Sequence, residues 1–137
     1  MKRTGALVAA MALLSLGAAL PARAQSEERV TTLDGVYTEE QAARGAEVTE
    51  AVCRECHDDE EFVGAFIRSW AGASVAALFD DIYSLMPEDQ PGSLPVQQYA
   101  DVIAYILQLN GLPPGEVELG AARESLERVL IEANPRR

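Results

Sequence analysis

Both cysteines and the single histidine of this 137-residue chain fall within five consecutive positions, Cys53-Arg54-Glu55-Cys56-His57. That clustering limits the fold more than any other feature, because it removes the usual cross-links. A disulfide between Cys53 and Cys56 would close a loop with only two residues between them, and chain-entropy stabilisation grows with loop length. A tetrahedral zinc site needs four ligands, and Cys53, Cys56 and His57 exhaust the Cys and His of the chain. A redox dithiol of the thioredoxin kind belongs to a βαβ context. The chain must therefore build its core by packing alone, or around a group that these residues hold.

The rest of the sequence reads as helices. Thr38-Glu39-Glu40-Gln41 fits a capping box, and good helix formers follow, so a first helix is expected from about Glu39 to the cysteine pair. Gly45 sits in its middle, at a cost of about 1 kcal/mol relative to Ala. Asp58–Gly64 reads as an acidic connecting loop, followed by Phe66, Ile67 and Trp70 leading to Gly72. Ser74 to Tyr83 carries Val75, Leu78, Phe79 and Ile82 on one helical face. Met86 to Ser93 is rich in turn residues. Pro95 suits the first turn of a third helix with the stripe Tyr99, Val102, Ile103, Ile106, Leu107, ended by Asn110-Gly111 and Pro113-Pro114. Ala121–Ile131 is expected to form a short tail helix. No alternating strand pattern of useful length is seen. The expectation is an all-α fold of three core helices with a long loop before the third. Three Phe, four Tyr and one Trp make a thin core for such a domain, which a large buried cofactor would complete.

C-x-x-C-H is the attachment signal for c-type haem. Each thiol adds across one vinyl group to form a thioether. The two-residue spacer lets both sulfurs reach neighbouring vinyls from one turn, and His57 then lies beneath the iron. Cys53 and Cys56 are thus the expected covalent anchors of one haem c. His57 is the expected proximal ligand. With no second His, bis-His ligation within the chain is impossible. Met86 lies 29 residues on, in the Pro- and Gly-rich loop. It is the expected second axial ligand, a soft neutral sulfur that raises the reduction potential.

Met1–Ala24 reads as a secretory leader. Lys2 and Arg3 precede the apolar run Gly5–Leu20, and Ala22-Arg23-Ala24 is an A-x-A cleavage site, predicting Gln25 as the mature N-terminus and a periplasmic protein. Sixteen residues are short for a spanning helix, which needs about 20, so no membrane span is expected after cleavage. Gln25–Val36 reads as a flexible lead-in, 37–119 as the domain and 120–137 as a tail. The formal net charge is −11, and three of the eleven basic residues (Lys2, Arg3, Arg23) lie in the leader, so the exported chain is more acidic still. Such a chain is repelled by nucleic acid and anionic lipid. The charge serves solubility, or steers the protein to a basic face on a partner.

At these residues the chain resembles the class I monohaem cytochromes c, especially the cytochrome domains that accompany or are fused to quinoprotein alcohol dehydrogenases. The resemblance spans roughly Gly35 to Leu119. It rests on Val36-Tyr37-Thr38, Gln41-Ala42, Arg44-Gly45, Cys53–His57, the Trp70 region, Leu78-Phe79-Asp80, Met86-Pro87, Pro91-Gly92-Ser93-Leu94, Tyr99 to Leu107, Asn110-Gly111 and Pro114-Gly115. It implies the cytochrome c fold, with the first and last core helices crossing where Gly45 approaches the face bearing Tyr105. It also implies Trp70 near the haem propionates, although ordinary core packing explains Trp70 equally well. Phe66, Leu78, Ile82, Leu94, Tyr99, Val102 and Ile103 are candidates for the haem pocket. One departure stands out: class I cytochromes often place a Pro shortly after the haem His, and its carbonyl accepts the imidazole N–H. No Pro occurs between His57 and Pro87, so another backbone carbonyl is expected to orient His57.

The expected function is electron carriage, not catalysis. A dehydrogenase is the expected donor, and an oxidase or another cytochrome the acceptor. Two alternatives share the chemistry: an obligate haem subunit of a dehydrogenase complex, and a haem-based sensor in which Met86 is displaced by a ligand.

Overall fold

A computed structural model describes residues 30–135. The leader Met1–Ala24, its cleavage site and the start of the lead-in lie outside the described residues. The elements are β1 (Val30–Thr31), α1 (Glu39–Val48), a π-helical turn (Thr49–Cys53), a 3-10 turn (Asp59–Phe62), α2 (Ala65–Ser69), α3 (Val75–Leu85), α4 (Val96–Leu109), α5 (Arg123–Glu127) and β2 (Val129–Leu130). The domain is mostly helical, as expected, with five α-helices among the described residues.

α1 starts where its cap places it. The Thr38 hydroxyl accepts from the Gln41 N–H at 3.1 Å, and Glu39 and Glu40 favour the positive end of the helix dipole. Only this half of the capping box is used. The Gln41 side chain is fully buried, donating to Asp101 Oδ1 at 3.1 Å and the Leu119 carbonyl at 2.9 Å. Its own oxygen accepts from the Leu119 N–H at 2.7 Å. The amide thereby satisfies a buried backbone segment beyond α4, which an aqueous box could not do.

α1 packs on α4 more extensively than any other pair of elements. Gly45 stands at the crossing: a Cβ there would overlap the Asp101 carbonyl and lie 3.0 Å from Tyr105 Cβ. Asp101, buried on α4, also accepts from Arg44 Nε at 3.2 Å and from Gln97 Nε2 at 3.1 Å. α4 ends as its sequence signals: Gly111 has φ +67°, and the Leu112 N–H reaches back to the Leu107 carbonyl at 3.1 Å.

α3 is capped by Ser74, whose hydroxyl accepts from the Ala77 N–H. It buries Val75, Ala76, Leu78 and Phe79. The tail helix is shorter than expected, because the chain leaves α5 at Arg128 and enters β2. β2 runs parallel to β1, with Val30 opposite Val129 and Thr31 opposite Leu130. Thr32, fully buried, both donates to and accepts from the Glu132 backbone at 2.9 Å. Ile131 exchanges backbone hydrogen bonds at 2.8 Å with Gly72 and Ala73. The described end of the lead-in is therefore paired to the tail. Two-residue ladders are too short to show the alternation by which strands are read from sequence.

Tyr37 ties the start of the domain to the end of α4. Its fully buried phenol donates to the Leu112 carbonyl at 2.6 Å. Burial, with the Glu39 charge nearby, pushes it from 10.0 up to about 12. The fold thus prefers the neutral phenol. Its contribution to stability is complete below pH 10 and is lost as pH rises through about 12. Tyr37→Phe should flatten the alkaline limb of the unfolding curve in that window. A variant whose alkaline limb matches the parent's would contradict this role.

Candidate functional site

The first-helix cysteine is delivered by a change of pitch. Beyond Val48 the chain widens into the π-helical turn, closed by the Arg54 N–H donating to the Thr49 carbonyl at 3.0 Å. The Cys53 carbonyl then accepts from both Cys56 N–H at 3.1 Å and His57 N–H at 2.9 Å. Cys53, Cys56 and His57 are thereby wound around a single carbonyl. Such π-turns recur at functional sites.

These three residues line a cavity of about 580 Å³. The last turn of α3 (Ile82, Leu85) contributes to its walls, as do Met86 and Pro87 after it, Leu94, Phe62 and Phe66. α4 adds Tyr99, Val102 and Ile106, spaced three and four residues apart on one helical face. The lining is mainly apolar. Four acids, Glu55, Asp81, Glu88 and Asp89, also border it, and all four are solvent-exposed. Protein interiors are close-packed, so a void of this size among apolar walls is a site for a large apolar group.

Tyr99 organises the Met86 loop. Its phenol, 1% exposed, donates to the Met86 carbonyl at 3.0 Å and accepts from the Leu94 N–H at 3.3 Å. Removing the hydroxyl in Tyr99→Phe should cost about 1–2 kcal/mol in urea unfolding, since both groups lose their partner. A loss under about 0.3 kcal/mol would show that the loop does not depend on it.

The cavity gathers Cys53, Cys56, His57 and Met86 with Phe66, Ile82, Leu94, Tyr99 and Val102. Leu78, Ile103 and Trp70 are not among the lining residues. The cavity meets only the last turn of α3, so Leu78, one turn earlier, is fully buried in the main core. Ile103 is likewise fully buried in the main core, beside the cavity-facing edge of α4. Trp70 caps α2 and packs, partly buried, against the same core.

The second expectation to change concerns His57. No backbone carbonyl takes its ring nitrogen. Nδ1 lies 3.2 Å from Glu61 Oε2, and the other Glu61 oxygen accepts from the Asp58 N–H at 3.2 Å. The His57 ring, then the Asp58 N–H, hold the Glu61 carboxyl below its usual range. Sequence reading placed Glu61 in a plain acidic loop. The signals available were its i,i+4 spacing from His57 and the Asp58-x-x-Glu61 box pattern.

The competing chemistries find little to work with. Burial pushes the Cys53 thiol up, opposite to the depressed value of a reactive dithiol nucleophile. Among the described residues, no group of three or more His, Cys, Asp or Glu side chains is placed to hold a metal ion. The donor set instead suits a haem: two thiols one turn apart, an imidazole and a thioether on one apolar cavity.

Residues 40–106 match the family model described as cytochrome C oxidase, cbb3-type, subunit III. The chain carries a c-type cytochrome domain. Its cofactor is one covalent haem c, for which Cys53 and Cys56 are the available thiol pair. The matched part of the cytochrome domain runs from the first turn of α1 into α4 and includes every cavity-lining residue. No curated protein and no solved structure matches the chain. C-type cytochromes are extracytoplasmic, and a cytochrome c domain implies redox partners. No helix among the described residues is long and apolar enough to cross a membrane.

Proposed function

We propose that this cytochrome domain is a one-electron carrier whose haem is anchored by Cys53 and Cys56, with His57 and Met86 as the axial ligands. One observation carries the reading: the chain's sole His, both its cysteines and the sole Met beyond the leader border one apolar cavity. Bound there, haem supplies an iron that changes charge by one electron without making or breaking a bond to substrate. The residues do the remainder. Phe62, Phe66, Val102 and Ile106 exclude water and hold the local dielectric low. Tyr99 fixes the backbone of Met86. With His57 and Met86 both taken up as its ligands, the haem would offer no position to a substrate, which favours carriage over catalysis.

The exposed acids bordering the cavity, in a chain of net charge −11, suit a brief encounter with a basic partner face. A periplasmic dehydrogenase is a reasonable donor and an oxidase or second cytochrome an acceptor. Nothing in the family match points to an alcohol dehydrogenase in particular. The family's description as an oxidase subunit supports a second reading, in which this chain is a permanent part of a larger complex. Size exclusion of native extract separates the two: a small haem-stained species supports the shuttle, a large one the subunit.

The direct test is an intact mass of the exported protein from cells competent in cytochrome maturation. The expected product begins at Gln25 and carries one haem. A colourless polypeptide would remove the proposal.

A further inference from the structure

We propose that Glu61 is the positioning residue for His57, holding the ring nitrogen that faces away from the iron with a carboxylate rather than a neutral carbonyl. The inference rests on His57 being an axial ligand. A carboxylate only accepts, so Nδ1 carries the proton and donates to Oε2 across 3.2 Å. That fixes the tautomer and leaves the lone pair of the other ring nitrogen for the metal.

The geometry is braced well beyond the pair. Glu61 stands in the 3-10 turn Asp59–Phe62, whose entry is closed by Glu61 N–H donating to the Asp58 carbonyl at 3.0 Å. Its second oxygen is taken by the Asp58 N–H. The neighbouring Asp59 accepts from Arg54 Nη2 and from the Tyr105 hydroxyl, each at 3.0 Å. Asn110, 3% exposed at the end of α4, donates to the Phe62 carbonyl and accepts from the Gly64 N–H, both at 2.9 Å. The turn is therefore pinned to α4 on both sides of Glu61. The ring of Phe62, 5.5 Å from that of His57, limits how the imidazole can turn. An incidental surface ion pair would not need this scaffold.

The consequence is electronic. An anionic acceptor makes the imidazole a more basic ligand, and a more basic ligand favours the oxidised iron. The Glu61 side chain is 55% exposed, so solvent moderates the effect. Glu61→Gln keeps an acceptor oxygen but removes the charge, and should shift the oxidised-to-reduced equilibrium about tenfold toward reduced, a rise of about 59 mV for one electron. Glu61→Ala removes both, and should in addition speed exchange of the His57 ring N–H in the proton spectrum of the haem protein. Glu60→Gln removes an equal charge from the adjacent position in the same turn and serves as the control.

The inference holds if Glu61→Gln raises the potential by clearly more than Glu60→Gln and only Glu61→Ala accelerates the ring exchange. Equal shifts from the two Gln variants, or slow exchange surviving in Glu61→Ala, overturn it while leaving the carrier function intact. A parent protein that binds haem without His57 on the iron overturns the ligation first and this inference with it.

Discussion

Met86→Ala yields a haem-bearing protein that binds carbon monoxide when reduced and has a potential lower by on the order of 100 mV, within the roughly 0.8 V that axial ligands span. The covalent anchors lie on the other segment, at Cys53 and Cys56, so attachment survives the change. Ligation does not. Met86 is the only methionine after Met11 and His57 the only histidine, so the domain has no soft neutral substitute. Loss of a thioether removes the preference for the reduced iron. The measurements are a redox titration and a carbon monoxide difference spectrum of parent and variant. A parent that already binds carbon monoxide rapidly would favour the sensor alternative. A variant with the parent's potential would show that Met86 is only packed beside the site.

Gly45→Ala should lower the unfolding free energy by about 3 kcal/mol, at the upper end of ordinary overpacking costs. In an isolated helix the same change would gain about 1 kcal/mol. The reversal comes from the neighbour: the new Cβ meets the Asp101 carbonyl, which is backbone within α4 and cannot swing aside. The helices must part, and parting them loosens Gln41 and Arg44 from Asp101. Since α1 leads directly into the turn carrying Cys53, haem incorporation should fall as well. Urea unfolding with an unchanged slope reads the loss. A neutral or stabilising result would refute the close crossing.

Several features could be read before any fold was known because they are local. C-x-x-C-H carries its chemistry in its spacing, and Thr38, Ser74 and Asn110-Gly111 mark helix ends by conformational preference alone. The Tyr99, Val102, Ile106 face was legible from periodicity, and the structure turns it to the cavity. Periodicity also misled: Leu78 and Ile103 share apolar stripes with cavity residues, yet a helix touches the cavity over one turn or one edge only. Gln41 looked like an aqueous cap, and its partner Leu119 is 78 residues away. β1 and β2 are each two residues long, and Val30 finds its partner only at Val129, at the other end of the domain.

The order of the amino acids by itself determined the helical segments, the two thiols with their imidazole, and the lone thioether, since each depends on neighbours within a turn or two. Tertiary structure alone decided which apolar residues wall the cavity and where the ends of the domain meet. Those outcomes depend on how α4 lies across the chain that follows the cysteines. A contact such as Asn110 to Gly64 forms only once burial has brought the distant segments together, and no run of neighbouring residues encodes it.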